Sequence, residues 1–215
     1  SKSNIKAWAE ILIGFALLFM GLGLLKESVP DLNQNTEFMI FLKDYADLGI
    51  LSTVIFVFVG TILTLIVQSS SAAMALTLTM CSMGYISFEV GAAMVLGENI
   101  GTTITANLAA MIGNVHAKRA ARAHFIFNIF GVIWMILALP LFISFIDGFM
   151  QNYFNLSPLS AEGTQSTISF GLAIFHTSFN IINVLLLVWF VPLISRIVIR
   201  MQPSKGETDE EFHLE

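Results

Sequence analysis

The sequence predicts an all-α integral membrane protein in which one helical hairpin is re-entrant and one transmembrane helix is unwound. Three observations carry that reading. Composition comes first: 56% of the 215 residues are apolar, 12% are charged, and the mean hydropathy is +0.80. Soluble domains carry about 25% charge. Second, several apolar runs are long enough to cross a hydrocarbon core of about 30 Å. Third, two polar runs interrupt apolar segments: Gln68-Ser69-Ser70-Ser71 and Gly97-Glu98-Asn99-Ile100-Gly101-Thr102-Thr103. Polar groups at membrane depth need partners, so such breaks are costly unless they line a site.

The elements follow in order. Residues 7–25 form a first spanning helix; Lys2 and Lys6 precede it, and Glu10 reaches the interface one turn in. Residues 26–49 hold Pro30, two lysines and five acids and read as a loop with an interfacial helix. Residues 50–86, broken at Gln68–Ser71, form the re-entrant hairpin. Residues 88–112 form a spanning helix unwound at the second break. Residues 120–146 span next, with Pro140 as a kink. Residues 147–167 form a loop without Lys or Arg, residues 168–194 make the last span, and 201–215 are a polar cytoplasmic tail.

Charge fixes the topology. Basic residues cluster at the N-terminus, at Lys118–Arg122 and at Arg196–Lys205, which places those segments in the cytoplasm. The first helix carries the chain out. The chain is inside again at Lys118 only after an odd number of crossings. A hairpin that enters and leaves from outside, followed by one crossing helix, satisfies that parity.

The breaks suggest their chemistry. A helix start presents unbonded N–H groups and a partial positive charge, which attract anions. Ser69, Ser70, Ser71, Thr102 and Thr103 add hydroxyl donors. Helix ends before each break, together with the Gln68 and Asn99 amide oxygens, suit a hard cation such as Na⁺. Gly97 and Gly101 permit unusual backbone angles and close approach. One site can thus hold an oxyanion beside Na⁺, since no Lys or Arg occurs between Lys43 and Lys118. The structural alternative is that the hydroxyls bond back to helix carbonyls and make only kinks or helix contacts.

The pairing of Gln68-Ser69-Ser70-Ser71-Ala72 with Gly97-x-Asn99-Ile100-Gly101-Thr102-Thr103 resembles the type II sodium-dependent phosphate cotransporters and their bacterial relatives. The likeness continues through Arg119-Ala120-Ala121 and His124-Phe125-Ile126-Phe127-Asn128. It implies a Na⁺-coupled symporter of inorganic phosphate in the bacterial inner membrane, built from two inverted repeats. It further implies phosphate contacts from Ser69, Ser70, Ser71, Gly101, Thr102 and Thr103. Gln68, Ser71, Asn99 and Thr103 would then be Na⁺ ligands. Glu98 stands where the family has a small residue, and is read either as a cation ligand or titrating group or as a side chain paired elsewhere. Each break motif occurs once, so the sequence reads as one transporter repeat, most like the second half. It would need the other repeat or a second copy, and a PhoU-like domain is expected downstream. Na⁺ is the coupling ion and no other cofactor is expected.

His124-x-x-Phe127-Asn128 recurs as His176-x-x-Phe179-Asn180, a helix face suited to docking two helices through a buried polar pair, or to a proton or gating relay. The single Cys81 excludes an internal disulfide, and no basic tract fits nucleic acid. The ten methionines and Trp134 and Trp189 read as packing. Two other function classes remain: an intramembrane serine hydrolase with His124 or His176 as base, and a non-transporting membrane module in phosphate signalling. The first lacks a Gly-x-Ser-x-Gly elbow and leaves the second break without a role, so the protein is not expected to be an enzyme.

Overall fold

The computed structural model describes residues 2–28, 40, 45, 46, 48–160, 164–204 and 206. Most of the expected 26–49 loop and the end of the 201–215 tail lie outside the described residues. Every regular element described is helical. Among the described residues, four helical stretches are long and apolar enough to cross a membrane, so the chain is a multi-pass membrane protein.

The chain divides into two units, Ser1–Ile40 and Phe41–Glu215. The first contains α1, Lys2–Ser28. Within it Lys6 and Glu10 pair at 3.8 Å, one turn apart, and the Phe15 and Phe19 rings lie 5.7 Å apart.

The second unit begins with α2 (Ile50–Val67) and α3 (Ser70–Ser82). The chain reverses between them within two residues. Gln68 closes α2 in the left-handed region (φ 57°), and its N–H bonds to the Thr64 carbonyl at 2.7 Å. Ser69 is extended (φ −147°) and caps α3. The far end of α3 closes with a Schellman motif on Gly84 (φ 75°): Tyr85 N–H bonds to the Met80 carbonyl and Gly84 N–H to Cys81. Ser87, whose Oγ accepts from Val90 N–H, then starts α4, Phe88–Ala110.

Helix α4 is the hub. It runs parallel to α2, since Gly97 abuts Val57 and Thr61 while Gly101 abuts Thr61 and Thr64. It runs antiparallel to α3, where Thr77 meets Glu98 and Cys81 meets Gly91. Thus α2 and α3 are a true antiparallel hairpin laid along α4.

One expectation is overturned here. Helix α4 continues unbroken through Glu98–Thr103, so the expected unwinding there is absent. The physical reason is packing. Gly97 and Gly101 are in ordinary helical geometry and let α2 and α4 touch backbone to backbone: a Cβ at Gly97 would strike the Val57 carbonyl, and one at Gly60 the Met94 carbonyl. Gly97-x-x-x-Gly101 acts as a small-residue interface rather than a hinge.

Asn114 caps α5, Val115–Phe154, which carries Pro140 inside it. The expected 147–167 loop is shorter than read, because α5 continues through Phe154 and ends on Asn155 in the left-handed region (φ 54°). The continuation is held by apolar contacts: Ile146 and Met150 are fully buried and Phe149 packs on Tyr153 at 4.9 Å. The Asp147 carboxylate accepts from Ser157 Oγ at 2.5 Å and folds the following turn back. Helix α6 (Gln165–Leu187) is followed by a 3₁₀ turn, Val188–Phe190, and then α7, Val191–Met201. Pro192 in the first turn of α7 has no N–H to offer the Val188 carbonyl, so the path tightens and re-aims there. Arg119 Nε and Arg122 Nη1 reach across to the Gln202 and Met201 carbonyls at 2.9 and 2.7 Å, closing the C-terminal end of α7.

The repeated His-x-x-Phe-Asn face docks differently from expectation. Asn128 and Asn180 each donate to the carbonyl of the His one turn earlier in their own helix. The polar link between α5 and α6 is Asn183 instead: its Oδ1 accepts from Trp134 Nε1 at 3.1 Å and its Nδ2 donates to the Phe127 carbonyl at 3.4 Å. Gly131 makes room for that amide. Trp134 therefore does more than pack.

Candidate functional site

The hairpin tip is set by local chemistry. Four N–H groups at any helix start lack intrahelical acceptors. Ser69 Oγ accepts from Ala72 N–H at 3.3 Å, satisfying one. Ser69 Oγ and Ser71 Oγ lie 3.2 Å apart. The N–H groups of Ser70 and Ser71 remain directed out of the helix end. Gln68, Ser70 and Ser71 are exposed and Ser69 half-buried. The Ser69 and Ser71 hydroxyls thus lie together at an exposed helix start, where the dipole and unbonded N–H groups favour an anion.

The second motif lies alongside rather than at a break. Asn99 Nδ2 donates to the Val95 carbonyl at 2.9 Å, Thr102 Oγ1 to Glu98 at 2.8 Å and Thr103 Oγ1 to Ile100 at 2.7 Å. Each of these three groups donates to a carbonyl of its own helix, the pattern of the structural alternative. Lone pairs on Thr102 Oγ1, Thr103 Oγ1 and Asn99 Oδ1, and the second Asn99 Nδ2 N–H, are left for a ligand. Gly101 lies against Thr64, one turn before Gln68, which is how the two motifs are brought together. Among the described residues no hydrogen bond joins Gln68–Ser71 to Asn99, Thr102 or Thr103.

Glu98 is buried, with Oε1 accepting from Thr77 Oγ1 at 2.7 Å. Residues outside the two motifs complete the region. Thr61 Oγ1 bridges the Val57 and Gly97 carbonyls at 2.8 and 3.0 Å, pinning α2 to α4. Asn107 Nδ2 links the Thr103 and Ala121 carbonyls at 2.8 and 2.9 Å, pinning α4 to α5. The small-xxx-small spacing in α4 was the available signal for Thr61; Thr77 and Asn107 carry none.

A family model described as Na+/Pi-cotransporter matches residues 50–183. The chain belongs to that family. The matched stretch contains the hairpin, α4, α5 and most of α6. Among relatives, "Uncharacterized protein YqeW" of Bacillus subtilis (strain 168) is 35% identical over 147 residues, which is 68% of this chain and 43% of the relative. "Putative inorganic phosphate export protein YjbB" of Salmonella typhimurium is 28% identical over 199 residues, 92% of this chain and 33% of the relative. "Sodium-dependent phosphate transport protein 2C" of Mus musculus is 38% identical over 89 residues, 40% of this chain and 15% of the relative. The chain therefore spans less than half the length of these curated relatives. No solved structure matches it.

Proposed function

We propose that this chain is one repeat of a transporter that moves inorganic phosphate together with Na⁺ across the bacterial inner membrane. The observation that carries the reading is the serine-lined start of α3, opening at the tip of an apolar hairpin in a chain of the Na+/Pi-cotransporter family. Phosphate contacts Ser69, Ser70 and Ser71 through hydroxyls and N–H groups. Thr102 and Thr103, whose protons are directed into α4, serve the cation with Asn99, Gln68 and Ser71. Gly101 seats α4 against Thr64 instead of touching phosphate. The hairpin enters and leaves the membrane from one side, and an inverted second repeat, from the same polypeptide or a second copy, closes the site.

The name of the YjbB relative favours a second reading, phosphate export. Both are separated by radiolabelled phosphate flux in proteoliposomes holding the natural full-length protein. Uptake that follows an imposed inward Na⁺ gradient, and reverses with it, is expected. Efflux indifferent to Na⁺ supports export, and no flux of phosphate in either direction defeats both.

A further inference from the structure

The serine cradle leaves the Glu98 carboxyl without a role. Glu98 is 2% exposed. Its Oε2 is buried with no hydrogen-bond partner, and it is the one such side-chain atom among the described residues. Oε1 has the Thr77 hydroxyl alone, and Thr77 is itself fully buried. The helices packed on α4 are α2, α3, α5 and α6. Helix α2 has no titratable side chain and α3 has only Cys81. Glu89 is on α4 itself, and α6 contributes only His176. On α5, His116, Lys118, Arg119, Arg122 and His124 all lie in its first ten residues, Arg119 and Arg122 engaged with the end of α7, and Asp147 lies near its far end; none of them bonds to Glu98. A carboxylate with a bare oxygen and no positive neighbour is among the least tolerable arrangements in a low-dielectric interior.

We infer that Glu98 and Thr77 form a second site, apart from the serines, that holds one Na⁺ on Glu98 Oε2. Thr77 lies about two turns beyond Ser70, roughly 10 Å along the axis of α3. The site therefore does not share ligands with the phosphate cradle. Thr77 Oγ1 keeps lone pairs after donating to Oε1. That oxygen serves Na⁺ beside Oε2. The site bridges the second hairpin arm and α4, so its filling ties the two together. Its use as a coupling site rests on the transport reading above, but its occupancy does not.

The test begins without phosphate. Thermal unfolding of the purified full-length protein is followed against Na⁺ at constant ionic strength. Wild type is expected to gain stability with Na⁺. Glu98→Gln, similar in shape and neutral, loses the part of that gain that this site supplies. Equal responses in wild type and Glu98→Gln overturn the site. Should Glu98→Gln fail to fold, Thr77→Val strips one ligand and keeps the carboxyl. It weakens the apparent Na⁺ affinity several-fold, and an unmoved curve overturns the site. In proteoliposomes, Glu98→Gln lowers the Hill coefficient for Na⁺ by about one. Intact cation responses without phosphate flux defeat the transport reading and leave the site standing.

Discussion

Ser69 and Ser70 are neighbours with separable duties. Ser69 caps α3 through its bond from Ala72 N–H, whereas Ser70 is exposed in the first turn. Ser69→Ala should therefore cost about 1 kcal/mol of stability and weaken phosphate binding. Ser70→Ala should leave the unfolding midpoint in place and raise only the KM for phosphate. Midpoints and uptake kinetics on both variants check this; a Ser70→Ala protein with unaltered KM removes that hydroxyl from the cradle. The serines were legible in the sequence because a polar run within an apolar segment has few uses. Thr77 was not, because a threonine in Ala-Met-Ala-Leu-Thr-Leu carries no mark of the carboxyl it faces. Glu98 was singled out by its departure from the family pattern, yet its unpartnered oxygen needed coordinates to be seen.

At the scale of elements, glycine is the ambiguous letter. Gly97 and Gly101 fit either an unwound segment or a close helix contact, and the same residue types serve both. The structure chooses contact, because Thr61 and Gly60 on α2 present a complementary small face. Gly97→Val should push α2 off α4, destabilising the protein by about 1–3 kcal/mol or more. Gly148→Ala, in a helix with nothing within 4 Å of the added carbon, should be neutral or slightly stabilising. Unfolding of both in detergent measures the difference, and a Gly97→Val protein as stable as wild type would contradict the packing. The antiparallel run of α2 and α3 along α4 matches a hairpin that turns at Gln68 and Ser69; its entry and exit from one side belong to the proposal above. The ends of α5 were misjudged because the Phe149–Tyr153 contact is invisible to a rule that ends spans at polar residues.

For the molecule as a whole, the topology read from the basic clusters predicts sidedness. Single cysteines placed at Leu48, Ile112 and Ser160 in a Cys81→Ala background should divide two against one. Leu48→Cys and Ser160→Cys should label from one side of the membrane, and Ile112→Cys from the other. Leu48→Cys labelling alongside Ile112→Cys would refute the arrangement. The tip serines and the dipole of α3 were the part of the proposed site that the sequence displayed.

The backbone seam between α2 and α4 has a dynamic corollary. With carbonyls lodged where side chains would otherwise stand, neither rod can slip a turn past its neighbour without collision. Under the transport reading proposed above, exposing the serines to one compartment and then the other would have to move α2 and α4 as one block.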